Sequence, residues 1–290
     1  MPGGSAGPAV QDRQRCDIGS SDAQFRGAAG GDTGVSIHPS AIVAPGAQIP
    51  ESCTIGPYST IGPEVVLGEE CVLVSHVVLD GRTRVGARNR IYPFTSIGVA
   101  PQDLKYQGEP TETEIGENNT IRECVTISRG TIKGGGITRL GSNNLLMAYV
   151  HIGHDSQVGS HCILANAATL AGHVTIEDYA SLGAFSPVHQ FCTVGQYAFV
   201  GGGTIVTQDV LPFSLTSSKR ENKAFGINKV GLVRRGFTPE RLAVLQKAFR
   251  LLLTSRLNTS QAVEKIRELE GEDARIVADF IERSQRGIVR

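Results

Sequence analysis

Histidine and carboxylate side chains gather in one part of this chain at spacings that suit proton transfer. His151, His154, Asp155, His173, His189 and Gln190 lie in one stretch, and the segment HIGHD sets an imidazole beside a carboxylate at His154 and Asp155. An imidazole with an ordinary pKa near 6.5 can take a proton at neutral pH, provided another group fixes its tautomer. No serine or cysteine nucleophile is paired with these residues nearby in sequence, which favours direct attack by a bound substrate over a covalent enzyme intermediate. Two other readings use the same side chains. Stacked histidines can supply three nitrogen ligands to zinc, as in a carbonic-anhydrase-like enzyme, or they can decorate one face of a non-catalytic scaffold.

What must position these residues is visible in the surrounding pattern. From Leu140 to Val206 an aliphatic residue returns at every sixth position, through Leu146, Ile152, Val158, Leu164 and Leu170 to Val200. A period of six fits neither an amphipathic helix nor an alternating strand, so a repeat architecture is expected. Short strands joined by tight corners and stacked coil on coil make a parallel β-helix, with one aliphatic side chain per face turned inward. Three faces give an 18-residue coil, so residues 18 apart stack. Ile152, Leu170, Val188 and Val206 then share one column, and four of the seven histidines fall on one strip beside it.

The same period runs from Ile37 to Ile97 and resumes at Ile115, Ile121 and Ile127. About nine coils at ~4.8 Å per stacked strand predict a prism roughly 40 Å long. Two interruptions, at 98–114 and 128–139, are expected to project as loops, the first carrying Gln102, Asp103, Lys105 and Tyr106. If each loop replaces the hexads it displaces, Ile115 shares the Ile97 column and Ser128 falls one face away from the histidine strip. The alternative is a loop that leaves and re-enters at a single corner.

Composition narrows the remaining classes. Lys and Arg together number 28, as do Asp and Glu, and this balance argues against nonspecific nucleic-acid binding. No apolar run approaches the roughly 18 residues of a membrane span, so no stable membrane insertion is expected. The six cysteines form no CxxC pair. Cys53, Cys71, Cys162 and Cys192 each follow an aliphatic slot by four residues, where a second, smaller inward side chain is needed, so they read as reduced core residues. The clusters Gly134–Gly136 and Gly201–Gly203 lack the phosphate-loop form and read as repeat corners.

Residues 1–35 lack periodicity and a secretory signal. They read as a disordered extension, an overextended start or a vector scar, and their four aspartates argue against a transit peptide. The β-helix is expected over 36–210, a connection over 211–237, and a small helical domain over 238–290. Thr238 and Pro239 open its first helix, Thr259 or Ser260 its second, and Asp273 precedes its third. So small a domain should pack on the prism end or on a neighbour. Arg234 and Arg235, just outside the repeat, read either as a grip for a diphosphate or an acidic carrier, or as a solvated pair.

Several long motifs occur in order: QDLKYQGEP at 102–110, RGTIKGGG at 129–136, GSNNLLMAYVHIGHD at 141–155, NAATLAGHV at 166–174, VHQFCTVG at 188–195 and GLVRRGF at 231–237. They resemble the UDP-N-acetylglucosamine O-acyltransferases of lipid A biosynthesis, which take their acyl group from acyl carrier protein, and the likeness runs from about Ile37 to Arg290. The resemblance implies a left-handed coil, a cytoplasmic homotrimer with sites between neighbouring prisms, and chemistry without metal or cofactor. It implies His154 as general base toward the sugar 3-hydroxyl, Asp155 as its orienting partner and the Gly172 amide as oxyanion donor. It places Asp103, Lys105, His151, His173, His189 and Gln190 against sugar, nucleotide or acyl chain, and Asn228, Arg234 and Arg235 near nucleotide and carrier. Gly202 takes the position that measures acyl length, implying a longer 3-hydroxyacyl chain. One departure stands out. Where the family reads TIHRG this chain has Thr126, Ile127, Ser128, Arg129 and Gly130, and the lost imidazole bears on whether the acceptor carries a 3-hydroxyl or a 3-amino group.

Overall fold

A computed structural model describes residues 36–218 and 222–289. The readings made for residues 1–35, Cys16 among them, and for Lys219, Arg220 and Glu221 lie outside the described residues.

Strands of mostly two residues build three parallel walls that wind as a left-handed β-helix. The first wall stacks Ile55, Leu73, Ile91, Ile121 and Leu146, the second Leu79, Ile97, Ile127, Ile152 and Leu170, and the third Val85, Ile115, Leu140, Val158 and Ile176. Every one of these aliphatic side chains is buried, as are Cys53, Cys71, Cys162 and Cys192, which are free thiols. Burial pushes the Cys71 thiol up to about 11 and Cys162 to about 12, so both stay protonated and serve as small apolar fillers.

The corners divide their work between two positions. Three residues past most slots the backbone turns left-handed, and the residue there is usually not glycine: Asp155, His173 and Phe191 have φ of 61°, 61° and 65°. The glycine one residue past the slot answers to space instead, since a Cβ on Gly153 would lie 2.7 Å from the Ala171 backbone in the next coil.

Both loops emerge from one corner, and this corrects the slot count. Ile115 pairs with Val85 and Leu140 on the third wall, while Ile97 pairs with Ile127 on the second. Each loop therefore leaves the second wall and rejoins the third at the corner between them, without replacing a hexad. Replacing hexads would have left two walls with unpaired strand edges, whereas a loop at a corner leaves every wall paired. The loops are also shorter than the gaps in the period, spanning 100–111 and 129–136, because Ser96–Val99, Glu112–Ile115, Thr126–Ser128 and Ile137–Leu140 extend the flanking strands. Ser128 consequently sits on the second wall with His151, since Thr126 pairs with His151 and Ile127 with Ile152.

The 211–237 segment is more than a connection. Ser214–Ser218 continues the first wall in parallel beside Phe199–Val200 and turns back as an antiparallel hairpin with Asn222–Ile227. These residues satisfy a wall edge that the end of the repeat would leave open. Helix α1 (Lys229–Arg234) follows, then α2 (Pro239–Leu253), capped by Thr238 as its sequence implies. Helix α3 (Thr259–Arg267) starts at Thr259, one of the two expected positions, and is capped by Asn258 with a capping box to Gln261. Helix α4 (Glu272–Arg283) takes Asp273 into its first turn, where the carboxylate binds Arg241 through two hydrogen bonds of 2.7 and 2.8 Å. Leu211, Phe213 and Phe237 join the core of these helices, and the chain end returns to the prism as Val289 donates to Asp209 at 2.9 Å.

Candidate active site

The corner that releases both loops also carries the histidines. Two residues past successive second-wall slots come His154, Gly172 and Gln190, and three past come Asp155, His173 and Phe191. The 18-residue coil thus stacks residues from three turns into one surface. His173 donates its backbone N–H to the His154 carbonyl at 2.9 Å, its ring meets His154 edge-on at 5.1 Å, and Phe191 stacks beneath it at 4.6 Å.

His154 Nδ1 lies 2.8 Å from Asp155 Oδ2. The Asp155 side chain is wholly buried, while 18% of His154 remains exposed, so one edge of the imidazole is held and the other faces outward. Asp155 accepts further bonds from the Thr131 backbone N–H at 2.7 Å and the Thr131 hydroxyl at 2.6 Å, while its own N–H donates to Thr138 Oγ1 at 2.8 Å. A carboxylate only accepts, so Nδ1 carries the proton and the lone pair sits on Nε2. Gly172 stands against that nitrogen: a Cβ there would lie 2.7 Å from Nε2 and 2.6 Å from Cε1. Among the described hydrogen bonds none engages the Gly172 N–H, which stays available beside the free edge of the imidazole. The corner therefore offers a base and a donor side by side.

His151 lies on the adjoining strand, its Nδ1 2.7 Å from Thr126 Oγ1. Burial first, and then the neighbouring His154, hold its imidazole below the usual histidine range. A lowered folded-state pKa means that the unfolded chain binds the proton more readily. The stability from keeping His151 neutral is thus present above the ordinary value near 6.5 and is lost as the pH falls through it toward the folded value. Thermal unfolding is expected to show a steeper fall in Tm between pH 7 and pH 5.5 for the wild type than for His151→Gln; equal slopes would contradict this.

The other sequence candidates are dispersed. His189 and Gln190 share the corner, exposed, with His189 Nδ1 3.1 Å from the Gln190 carbonyl and 3.4 Å from the Arg286 guanidinium. Asp103 shapes the first loop by accepting from the Lys105 backbone N–H at 3.0 Å, and no described hydrogen bond or ion pair joins either residue to His154. Gly202 lies at the opposite edge of the second wall, where a Cβ would come 3.3 Å from the Ala184 carbonyl oxygen. Asn228 caps α1 and donates to the Tyr197 carbonyl at 3.1 Å. Arg235 lies over Tyr179 at 4.7 Å, on a ladder of His161, Tyr179, Tyr197 and Phe213 at the corner between the third and first walls, while Arg234 is exposed. Within one chain, then, His154, Asp155, Gly172, His173, His189 and Gln190 come together, and Gly202, Asn228, Arg234 and Arg235 do not join them.

The chain resembles solved enzymes along nearly its whole length. It is 43% identical to the UDP-N-acetylglucosamine acyltransferase of Francisella novicida, with a TM-score of 0.86 over 88% of this chain and 94% of that one. The O-acyltransferase of Moraxella catarrhalis matches at 41% identity and TM-score 0.84, over 88% of this chain and 99% of that one. The Arabidopsis acyltransferase matches at 34% and 0.77, over 88% and 100%. The chain belongs to the UDP-N-acetylglucosamine acyltransferase family. Family descriptions agree: a second domain of UDP-N-acetylglucosamine O-acyltransferase matches residues 209–289, and bacterial transferase hexapeptide repeats match 46–81 and 137–172.

For a member of this family, sequence reasoning missed the residues that support the dyad. Thr131, Thr138 and Gly134 lie outside the sixfold register, and Gly134 serves as no repeat corner. It packs over Asp155, whose carboxylate atoms a Cβ would approach to 2.0–2.4 Å. For Thr131 and Gly134 the only signal was the motif RGTIKGGG, and Thr138 lies just beyond it. The zinc reading fares less well on the donors present. His154, Asp155 and His173 each place one donor atom within 4.8 Å of the others, which is two nitrogens and an oxygen, not three nitrogens. A metal there would have to displace the His154–Asp155 hydrogen bond, and Asp155 Oδ2 already accepts from Thr131 as well.

Proposed function

We propose that this protein transfers a 3-hydroxyacyl chain from the thioester of acyl carrier protein to the 3-position of UDP-N-acetylglucosamine, the first step of lipid A biosynthesis, in the bacterial cytoplasm. The observation that carries the reading is the His154 imidazole, tied to a buried carboxylate at Nδ1 and open at Nε2 beside the Gly172 amide. In this reading Nε2 takes the proton of the sugar 3-hydroxyl as that oxygen bonds to the thioester carbonyl carbon. The Gly172 N–H holds the developing oxyanion. The C–S bond then breaks, and the carrier thiolate recovers the proton from the imidazolium. Asp155 stabilises that imidazolium and keeps Nε2 facing the substrate.

In this reading His151, His173, His189 and Gln190, together with Asp103 and Lys105 of the first loop, contact or support the sugar, the nucleotide or the acyl chain. Gly202 leaves room for a long acyl chain. Asn228, Arg234 and Arg235 sit too far around the prism to serve the same chain's His154, which supports sites shared between copies in a homotrimer. A further support is the ladder at the corner between first and second walls, where Tyr58, Phe94, Tyr149 and Phe185 are each at least 61% exposed. So long an apolar edge suits burial against another copy. The double variant Phe94→Asp, Tyr149→Asp is expected to shift the species in light scattering from three times the chain mass of 30.8 kDa toward one, with loss of turnover. A trimer that survives both charges would contradict this interface.

The test of function is product mass spectrometry with 3-hydroxyacyl carrier protein and each UDP-sugar acceptor, with chelator present. An acylated sugar nucleotide supports the reading; the ester marks a 3-hydroxyl acceptor and the amide the 3-amino alternative raised by Ser128. No product with either acceptor sinks it, and turnover abolished by chelator would return the argument to zinc.

A further inference from the structure

Asp155 is held at its backbone by a left-handed turn and by the bond from its N–H to Thr138, which leaves its carboxylate free to rotate. Thr131 removes that freedom. Its N–H takes Oδ1 at 2.7 Å and its hydroxyl takes Oδ2 at 2.6 Å, the same oxygen that receives His154 Nδ1 at 2.8 Å. The Thr131 carbonyl points the other way and accepts from the Gly134 N–H at 3.0 Å and the Gly136 N–H at 2.8 Å. This closes the short turn Ile132–Gly134 and lays Gly134 over the carboxylate, where no side chain would fit. Residues 129–136 thus form a cradle around one buried carboxylate, and a hydroxyl facing an ionised carboxylate can only donate to it.

We propose that Thr131 is a positioning residue for the acyl transfer: by fixing the plane of the Asp155 carboxylate and sharing Oδ2 with His154, it determines which imidazole nitrogen carries the proton and how basic the other is. This rests on the proposed function for its kinetic consequences, but not for the geometry. The hydroxyl aims Oδ2 at Nδ1, which keeps Nε2 unprotonated. It also occupies part of the negative charge of Oδ2, so the carboxylate pulls less strongly on the imidazolium proton, and the base can return that proton to the leaving thiolate. The titratable groups facing His154 are Asp155 from its own turn, His173 from the next coil and His151 from the adjoining strand.

The test compares Thr131→Val, which keeps the shape and the backbone N–H but lacks the hydroxyl, with Thr131→Ser, which restores it. The valine variant should lose about 10-fold in kcat, the low end of what outer hydrogen-bond partners are worth around metal-binding histidines and carboxylates, with KM for both substrates changed by less than about 2-fold. The acidic limb of its kcat profile should move to higher pH, because Asp155 left with one donor fewer holds the imidazolium proton more tightly. The serine variant should recover both rate and limb. A structural role alone would lower Tm in Thr131→Val without moving the limb. ¹⁵N shifts of His154 provide a readout independent of turnover, with Nδ1–H dominant in the wild type and a tautomer mixture in Thr131→Val. An unchanged tautomer and an unmoved limb would overturn the proposal, as would a serine variant as impaired as the valine. A wild type without turnover would sink the acyl-transfer reading, and the tautomer comparison would still decide the role of Thr131.

Discussion

His154→Ala is expected to lower kcat by about 10²- to 10⁴-fold, the range that general-base assistance typically supplies, with little change in KM. The size follows from the absence of a substitute at this corner. The Asp155 side chain is fully buried and its oxygens are engaged by Thr131, so it cannot reach a substrate hydroxyl. The His173 imidazole stacks on Phe191 and meets His154 edge-on, and its Nε2 faces Asp155 Oδ2 at 3.8 Å, beyond hydrogen-bond distance, so it is held toward the carboxylate. The fold should survive, because Asp155 keeps both bonds from Thr131 and the position is partly exposed. Initial rates over a range of both substrates, with thermal unfolding as control, check this. A variant that keeps more than about a tenth of wild-type kcat would remove His154 as the base.

Gly172→Ala should be nearly as damaging, although it removes no functional group. Its Cβ would arrive 2.6 Å from His154 Cε1 and 2.7 Å from Nε2, closer than such contacts allow. The imidazole cannot easily yield, since Asp155 holds its other edge at 2.8 Å. Either His154 leaves its carboxylate or the Gly172 amide shifts away from the oxyanion position, and a misplacement of about 1 Å can itself cost about 10²-fold. We expect kcat to fall at least that far. If the imidazole is what moves, ¹⁵N shifts of His154 will register loss of the Asp155 hydrogen bond. Near-normal turnover in this variant would mean that the corner is looser than its geometry implies.

The walls were legible because each stacked coil needs one aliphatic residue per face, and Ile, Leu or Val stands at every slot from Leu140 to Val206. The dyad was legible as well, since His154 and Asp155 are adjacent and His173 follows Asp155 by one coil. Slot counting failed at the loops. A period records how many residues pass, not whether they pass along a wall or outside it, so Ser128 was placed one face from where it lies. The cradle was hidden for a related reason: Thr131 and Asp155 are 24 residues apart, no multiple of the coil, and they meet only because the second loop folds back over its own corner. Asn228 and Arg235 show the opposite limit. Arg235 belongs to the plain motif GLVRRGF and Asn228 stands three residues before it, yet a motif does not say that one rests on a tyrosine ladder and the other caps a helix.

The central claim is that this corner moves a proton and never carries the acyl group. Its most direct test is a single-turnover reaction with labelled 3-hydroxyacyl carrier protein, quenched at intervals, with intact-mass and peptide analysis of all three components. The label is expected to leave the carrier and appear on the sugar nucleotide at the same rate, with no acyl mass on this protein at any time. An adduct on His154 that forms and decays as fast as product appears would contradict the account and make the imidazole a nucleophile.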